Sequence, residues 1–247
     1  TEGLVGSEMC IRDRYFTLRK AIPPVLIPRL YLLLILGGFQ GVLGWYMVKS
    51  GLVDDPNVSQ YRLTAHLGMA VFIYSLILWT VFDLSLNYNH AIRSRIKWMS
   101  STLTLLIFLM ILSGGLVAGT RAGIPFPTWP LMGDTFIPPQ IYSMNPSWLS
   151  AFEDMATIQF NHRMFAYLLT IFIVIFAIVL LGSNVPRFLK NGTTVLLFVL
   201  SLQVVLGIST LLFYIPIPVA AAHQVGAIAL LSVSLFITHS CLSRKQI

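Results

Sequence analysis

From residue 191 to residue 243 the chain carries no Asp, Glu, Lys or Arg. A membrane-crossing helix needs roughly 20 residues, because each advances about 1.5 Å through a hydrocarbon core of about 30 Å. The uncharged run is too long for one crossing and has to turn. Pro216 and Pro218, in Phe-Tyr-Ile-Pro-Ile-Pro, mark the turn, since proline removes a backbone donor and breaks a helix. This gives two spans, near 193–213 and 219–240. Charged residues bound four more, at 30–48, 63–82, 98–120 and about 157–181, the last interrupted only by Arg163. The expected fold class is an all-α polytopic membrane protein with six transmembrane helices.

Composition supports this. Residues are 56% hydrophobic and 10% charged, where soluble domains carry about 25% charged. A nucleic-acid module, a disordered regulator and a secreted disulfide scaffold are excluded. Cys10 and Cys241, near opposite ends, suggest no disulfide or metal framework. Basic residues set the orientation. Arg12, Arg14, Arg19, Lys20 and Arg29 precede the first span, Arg93, Arg95 and Lys97 follow the second, Arg187 and Lys190 follow the fourth, and Arg244 and Lys245 end the chain. With six spans, that places 12 of 16 basic residues on one face, expected to be cytoplasmic or matrix-side with both termini. Asp54, Asp55, Asp134, Glu153 and Asp154 fall on the other face. The loop at about 121–156 then lies outside, where its Pro, Gly and Trp content suggests an ordered cap.

Three of the five histidines share a position. His66 lies four residues after Arg62, His162 five after Thr157 and His223 five after Pro218, each at the outer start of a span. Each is expected about 6–8 Å below its helix start. His90 and His239 fall at inner positions and read as solvated or interfacial. Ionisable groups inside a bilayer are costly and point to function. Two neutral imidazoles facing each other across a bundle can fill both axial positions of a haem iron. Zinc fits less well, because no Cys, Asp or Glu shares this depth to complete a tetrahedral shell.

An internal repeat bears on the pairing. Gln40-Gly41-Val42-Leu43-Gly44 matches Gln203-Val204-Val205-Leu206-Gly207, and each precedes a helix opening on Ala65-His66 or Ala222-His223. Spans one and two therefore look like spans five and six. Spans three and four, with Gly114-Gly115 and Asn161-His162-Arg163, have no earlier counterpart. If the unit is four helices with two histidines, the first unit lacks its leading half and His66 lacks its partner. Gly37-x-x-x-Gly41 and Gly115-x-x-x-Gly119 read as sites of close helix packing. Arg62 shares a helix face with His66, and Arg163 follows His162. Either arginine snorkels to the interface or pairs with a haem propionate.

These residues resemble haem A synthase, of the alphaproteobacterial and mitochondrial branch. The resemblance rests on Gly-Gly-Phe-Gln-Gly-Val-Leu-Gly-Trp-Tyr-Met-Val-Lys-Ser-Gly-Leu (37–52), Ser-Gln-Tyr-Arg-Leu-Thr-Ala-His-Leu-Gly (59–68) and Gly-Thr-Arg-Ala-Gly (119–123). Thr-Trp-Pro-Leu-Met (128–132), Gln-Phe-Asn-His-Arg-Met (159–164) and Gln-Val-Val-Leu-Gly (203–207) extend it.

The resemblance implies two pseudo-symmetric four-helix bundles in an eight-helix protein of a bacterial or mitochondrial inner membrane. The implied activity is oxidation of a methyl substituent of haem O to the formyl group of haem A, for cytochrome c oxidase. His162 and His223 would ligate a prosthetic haem b, with Arg62 and Arg163 as further haem-binding candidates. His66 would be a ligand on the substrate-haem side, its partner lying on a helix not in this chain. Gln159 stands where an acidic residue would stand in the other unit, which implies a structural role.

The expected organisation is a non-native appendage at 1–14, a partial N-terminal half of two helices at 15–90, and a haem b four-helix bundle at 91–247. Such a chain is expected to hold haem b and to be inactive alone. Implied partners are haem O, the bilayer, an unidentified electron donor, and haem O synthase with oxidase assembly factors; no nucleic acid is implied. The rival readings are a non-catalytic bis-histidine membrane cytochrome b and a repeat-built transporter.

Overall fold

The computed structural model describes residues 15–16, 19, 22–49, 58–86 and 90–242. Six long helices make up the fold: α1 (Ile27–Lys49, begun by a 3-10 turn at Pro24–Leu26), α2 (Gln60–Ser85), α3 (Ser94–Thr120), α4 (Met155–Leu181), α5 (Arg187–Leu212) and α6 (Ile217–Leu242). All six are long and apolar enough to cross a membrane. Among the described residues there is no strand, only an isolated bridge between Met132 and Thr135. The expected six-helix, all-α class is what this chain adopts. Readings placed on residues 1–14, Lys20, Asp54, Asp55, Arg244 and Lys245 concern positions outside the described residues.

The helices run farther than the charge-bounded spans. Arg29, Arg62, Asp83 and Lys97 all lie inside helices. Charge limits the hydrocarbon segment, whereas the backbone stays helical through the interface, where long side chains reach polar surroundings.

Helices α3, α4, α5 and α6 close a ring in which each packs on the next and α6 returns to α3. Leu103, Ile107, Ile173, Phe176, Leu180, Leu196 and Leu231 fill its core. Hydroxyls stitch the apolar wall: Thr104 meets Ser234 at 2.7 Å and Thr238 at 2.8 Å, and Thr238 donates to the Ser100 carbonyl. Such bonds join helices where hydrophobic contact with a neighbour gains little over contact with lipid. Helix α2 packs outside the ring against α3 and α6, and α1 packs on α2 without burying any residue fully.

Two polar rungs join α2 to α6. The Tyr74 hydroxyl lies 2.8 Å from the Ser232 hydroxyl, and His239 Nε2 lies 2.8 Å from Asp83 Oδ1. Arg29 of α1 pairs with the other carboxylate oxygen of Asp83. Tyr74 and Asp83 follow His66 by eight and seventeen residues; Ser232 and His239 follow His223 by nine and sixteen. Each rung thus joins a residue to within one position of its own counterpart in the repeat. Helices α2 and α6 run side by side in the same direction, which sets His66 and His223 at equal depth. His239 corrects its sequence reading: it is 1% exposed, held by Asp83 and packed edge-on to Trp79. A carboxylate one helix away supplied a partner that its own inner position did not reveal.

The two small-residue motifs part company. A Cβ on Gly119 would lie 2.6 Å from the Gln60 Cα, and one on Gly115 3.0 Å from the Thr64 hydroxyl, so α3 approaches the α2 backbone through these glycines. Nothing lies within 4 Å of such a position on Gly37 or Gly41. Close packing is realised at the second motif, whereas the first faces open space. Gly119→Ala is expected to lose about 1–3 kcal/mol by forcing the backbones apart. Gly41→Ala is expected to be neutral or to gain up to about 1 kcal/mol from helix propensity. Thermal unfolding in detergent compares the two.

Candidate functional site

The imidazole of His223 rests directly on the backbone of α5. A Cβ on Gly207 would fall 2.9 Å from His223 Cε1 and 3.4 Å from its Nδ1, so only glycine leaves the ring its place. One turn earlier on α5, the Gln203 side-chain amide donates to the His223 carbonyl at 2.9 Å. The Gln203 side chain in turn sits on Gly226, where a Cβ would meet its Oε1 at 2.3 Å. His223 Nδ1 is buried and makes no hydrogen bond.

The same arrangement recurs around His66. A Cβ on Gly44 of α1 would lie 3.1 Å from His66 Cε1. Gln40, again one turn earlier, donates to the His66 carbonyl at 3.1 Å and lies 3.3 Å from its Nε2. His66 Nδ1 too is buried without a partner. The short sequence repeat is therefore a repeated cradle: glutamine fixes the helix, glycine makes room, and histidine lies between.

His162 is held differently. It projects from α4, with its Nδ1 3.0 Å from the Ser113 hydroxyl of α3 and its Cε1 3.6 Å from where a Gly114 Cβ would be. Helices α4 and α6 stand diagonally across the ring, each packed on α3 and α5, and carry His162 and His223 at matched positions from their first residues. His66 occupies the separate cradle between α1 and α2. His66, His162 and His223 follow the first residues of their helices by six, seven and six positions, which sets them about 9–10 Å deep at about 1.5 Å per residue. That is slightly deeper than expected, because each helix begins one or two residues before its sequence boundary.

Both arginines have partners within the chain. Arg163 is 8% exposed, and its guanidinium donates to the carbonyls of Phe126, Thr128 and Leu131 at 3.0, 2.7 and 3.1 Å. The rigid fork of a guanidinium suits several fixed oxygens at once, and the outer loop supplies three. Gln159, one turn earlier, donates to the same Phe126 carbonyl, a structural role as the resemblance implied. Arg62 lies over the Tyr46 ring of α1 at 4.9 Å, a cation–π contact.

The outer loop is an ordered cap. Tyr142 N donates to the Thr157 hydroxyl, Tyr142 OH to Asn161, and Trp129 Nε1 to the Tyr167 hydroxyl. Glu153 accepts from Tyr61 and Gln60 at the start of α2. An open apolar groove of about 710 Å³ runs between α2 and α3, lined by Gly68, Phe72, Leu112, Ser113 and Phe152.

Sequence reasoning missed Ser113, Asp83 and the positioning role of Gln40 and Gln203. Only the glutamines left a signal, as the conserved spacing to glycine within the repeat. Ser113 is one hydroxyl among many in the spans, and its importance depends on which helix lies opposite.

Comparison with known proteins adds an independent result. A family model described as COX15-CtaA, cytochrome oxidase assembly protein, matches residues 3–235. A protein of Nitrosospira multiformis named "Heme A synthase" is 44% identical over 96% of this chain and 67% of its own length. One of the same name from Parvibaculum lavamentivorans is 39% identical over 96% of this chain and 67% of its own. The bovine "Heme A synthase COX15" is 38% identical over 95% of this chain and 59% of its own. The chain thus spans about two thirds of the two bacterial relatives.

Proposed function

The chain belongs to the COX15-CtaA family of cytochrome oxidase assembly proteins, and on that premise we propose that it serves as a haem A synthase, an oxidoreductase that converts the methyl group of haem O to the formyl group of haem A. The observation that carries the reading is the pair of matching cradles, His223 on Gly207 and His66 on Gly44, with His162 at a like depth on α4.

We assign His162 and His223 as the ligands of a haem b. The residues fit such a group. Among the described residues no three His, Cys, Asp or Glu side chains converge on a point, so a metal at these histidines takes its remaining ligands from elsewhere, as from a porphyrin. Bound there, a haem would supply one-electron chemistry. The chain's own residues do the rest. Gly207 admits the His223 ring, Gln203 holds its helix, and Arg163 ties down the cap that shields the outer side from water. The His66 cradle, built alike, is assigned to the substrate haem O. We read the ends that carry the basic loops as facing the cytoplasm or matrix across an inner membrane, since Lys and Arg gather on that side.

Pigment extraction tests the reading. The chain is expressed joined to the segment that its relatives carry beyond the matched two thirds, in cells that accumulate haem O and make no haem A of their own. Haem A is expected in the extract. Bound haem b without any haem A would sink the synthase reading and leave a membrane cytochrome b.

A further inference from the structure

We propose that Ser113 is a positioning residue that accepts the hydrogen bond of His162 Nδ1 when Nε2 is presented to iron. The inference rests on the haem reading above and deepens it.

Hydroxyls on membrane helices ordinarily bond back to the carbonyl one turn earlier. Ser75, Thr80, Thr120, Thr210 and Ser232 all do so here, with the carbonyl of the residue four positions before. Ser113 does not. Its hydroxyl reaches across from α3 to α4 and lies 3.0 Å from His162 Nδ1. Gly114, the next residue, leaves room for the same ring.

A neutral imidazole carries one N–H. With that hydrogen on Nδ1, the Ser113 oxygen accepts it and the Nε2 lone pair is free. With the hydrogen on Nε2, no lone pair remains there for a metal. Iron at Nε2 and the serine bond at Nδ1 are thus compatible in a single tautomer, in which Ser113 is the acceptor. Its own hydrogen is then left for the groove between α2 and α3, which it lines.

The partner histidine lacks this support. His223 Nδ1 is buried with no acceptor among the described residues, and its ring rests on Gly207. Outer partners of ligating histidines fix orientation and raise basicity, and are typically worth about 10–100-fold in metal affinity or activity. An acceptor behind Nδ1 makes Nε2 the richer donor and favours ferric over ferrous iron. The asymmetry makes His162 the ligand that sets the potential.

The test is a spectroelectrochemical titration of the haem in the purified protein and in the Ser113→Ala and Ser113→Thr variants. Ser113→Ala is expected to weaken the ferric preference about tenfold, an upward shift of about 59 mV for one electron, with its six-coordinate spectrum kept. Ser113→Thr keeps the hydroxyl and is expected to titrate with the unaltered protein. Coincident potentials for Ser113→Ala and the unaltered protein would overturn the inference while the haem reading stands. If Ser113→Ala fails to retain haem, retention by Ser113→Thr supports the inference and loss from both overturns it. Absence of haem from the unaltered protein removes the haem reading and this inference together.

Discussion

Replacing His162 or His223 with Ala abolishes the six-coordinate haem spectrum of the purified protein, whereas His66→Ala and His90→Ala leave it unchanged. The expected loss of haem affinity exceeds about a hundredfold, because even outer partners of a ligand are worth about 10–100-fold. His90 is exposed near Phe188, between α2 and α3, and serves as the control. His66, in its own cradle on Gly44, separates the two sites. An unaltered absorption spectrum in His162→Ala or His223→Ala would reject the ligand assignment. Loss on His66→Ala would instead mean that the two cradles hold one group.

Arg163→Leu is expected to release the outer cap. Three carbonyls, those of Phe126, Thr128 and Leu131, lose a charged donor at once. Hydrogen bonds to charged groups contribute about 1.5–3 kcal/mol each and do not add in full. A loss of about 3 kcal/mol corresponds to roughly a hundredfold rise in the open population, at about 1.4 kcal/mol per tenfold. Protease added to the outer side of sealed vesicles reads it as faster cleavage within 121–149, with the spans intact. Cleavage at the parent rate would show that Tyr142, Thr157 and Trp129 hold the cap without the arginine.

Several features of the site were legible because chemistry inside a bilayer is restricted. An imidazole in an apolar span stands out, and three at one depth stand out more. The cradle was half legible: Gln40 with Gly44 and Gln203 with Gly207 announced a repeat, but not that glutamine grips a histidine's carbonyl. The partners of Arg163 were not legible, because adjacency to His162 in the chain says nothing about direction; neighbours on a helix point about 100° apart, and this guanidinium meets three loop carbonyls. His239 misled. Its surroundings in sequence are bland, and its partner Asp83 is 156 residues away.

By itself the sequence determined the number of spans, the depth of the histidines and the family. These depend on local quantities: the length of an apolar run, the rise of a helix and motifs within one segment. Only the tertiary structure decided which polar atom answers which. Ser113 behind His162, Asp83 beneath His239 and Gly207 under His223 each join residues of different helices. Such pairings follow from the rotation of each helix against its neighbour. In lipid, packing and interhelical hydrogen bonds set that rotation, and no single segment contains it.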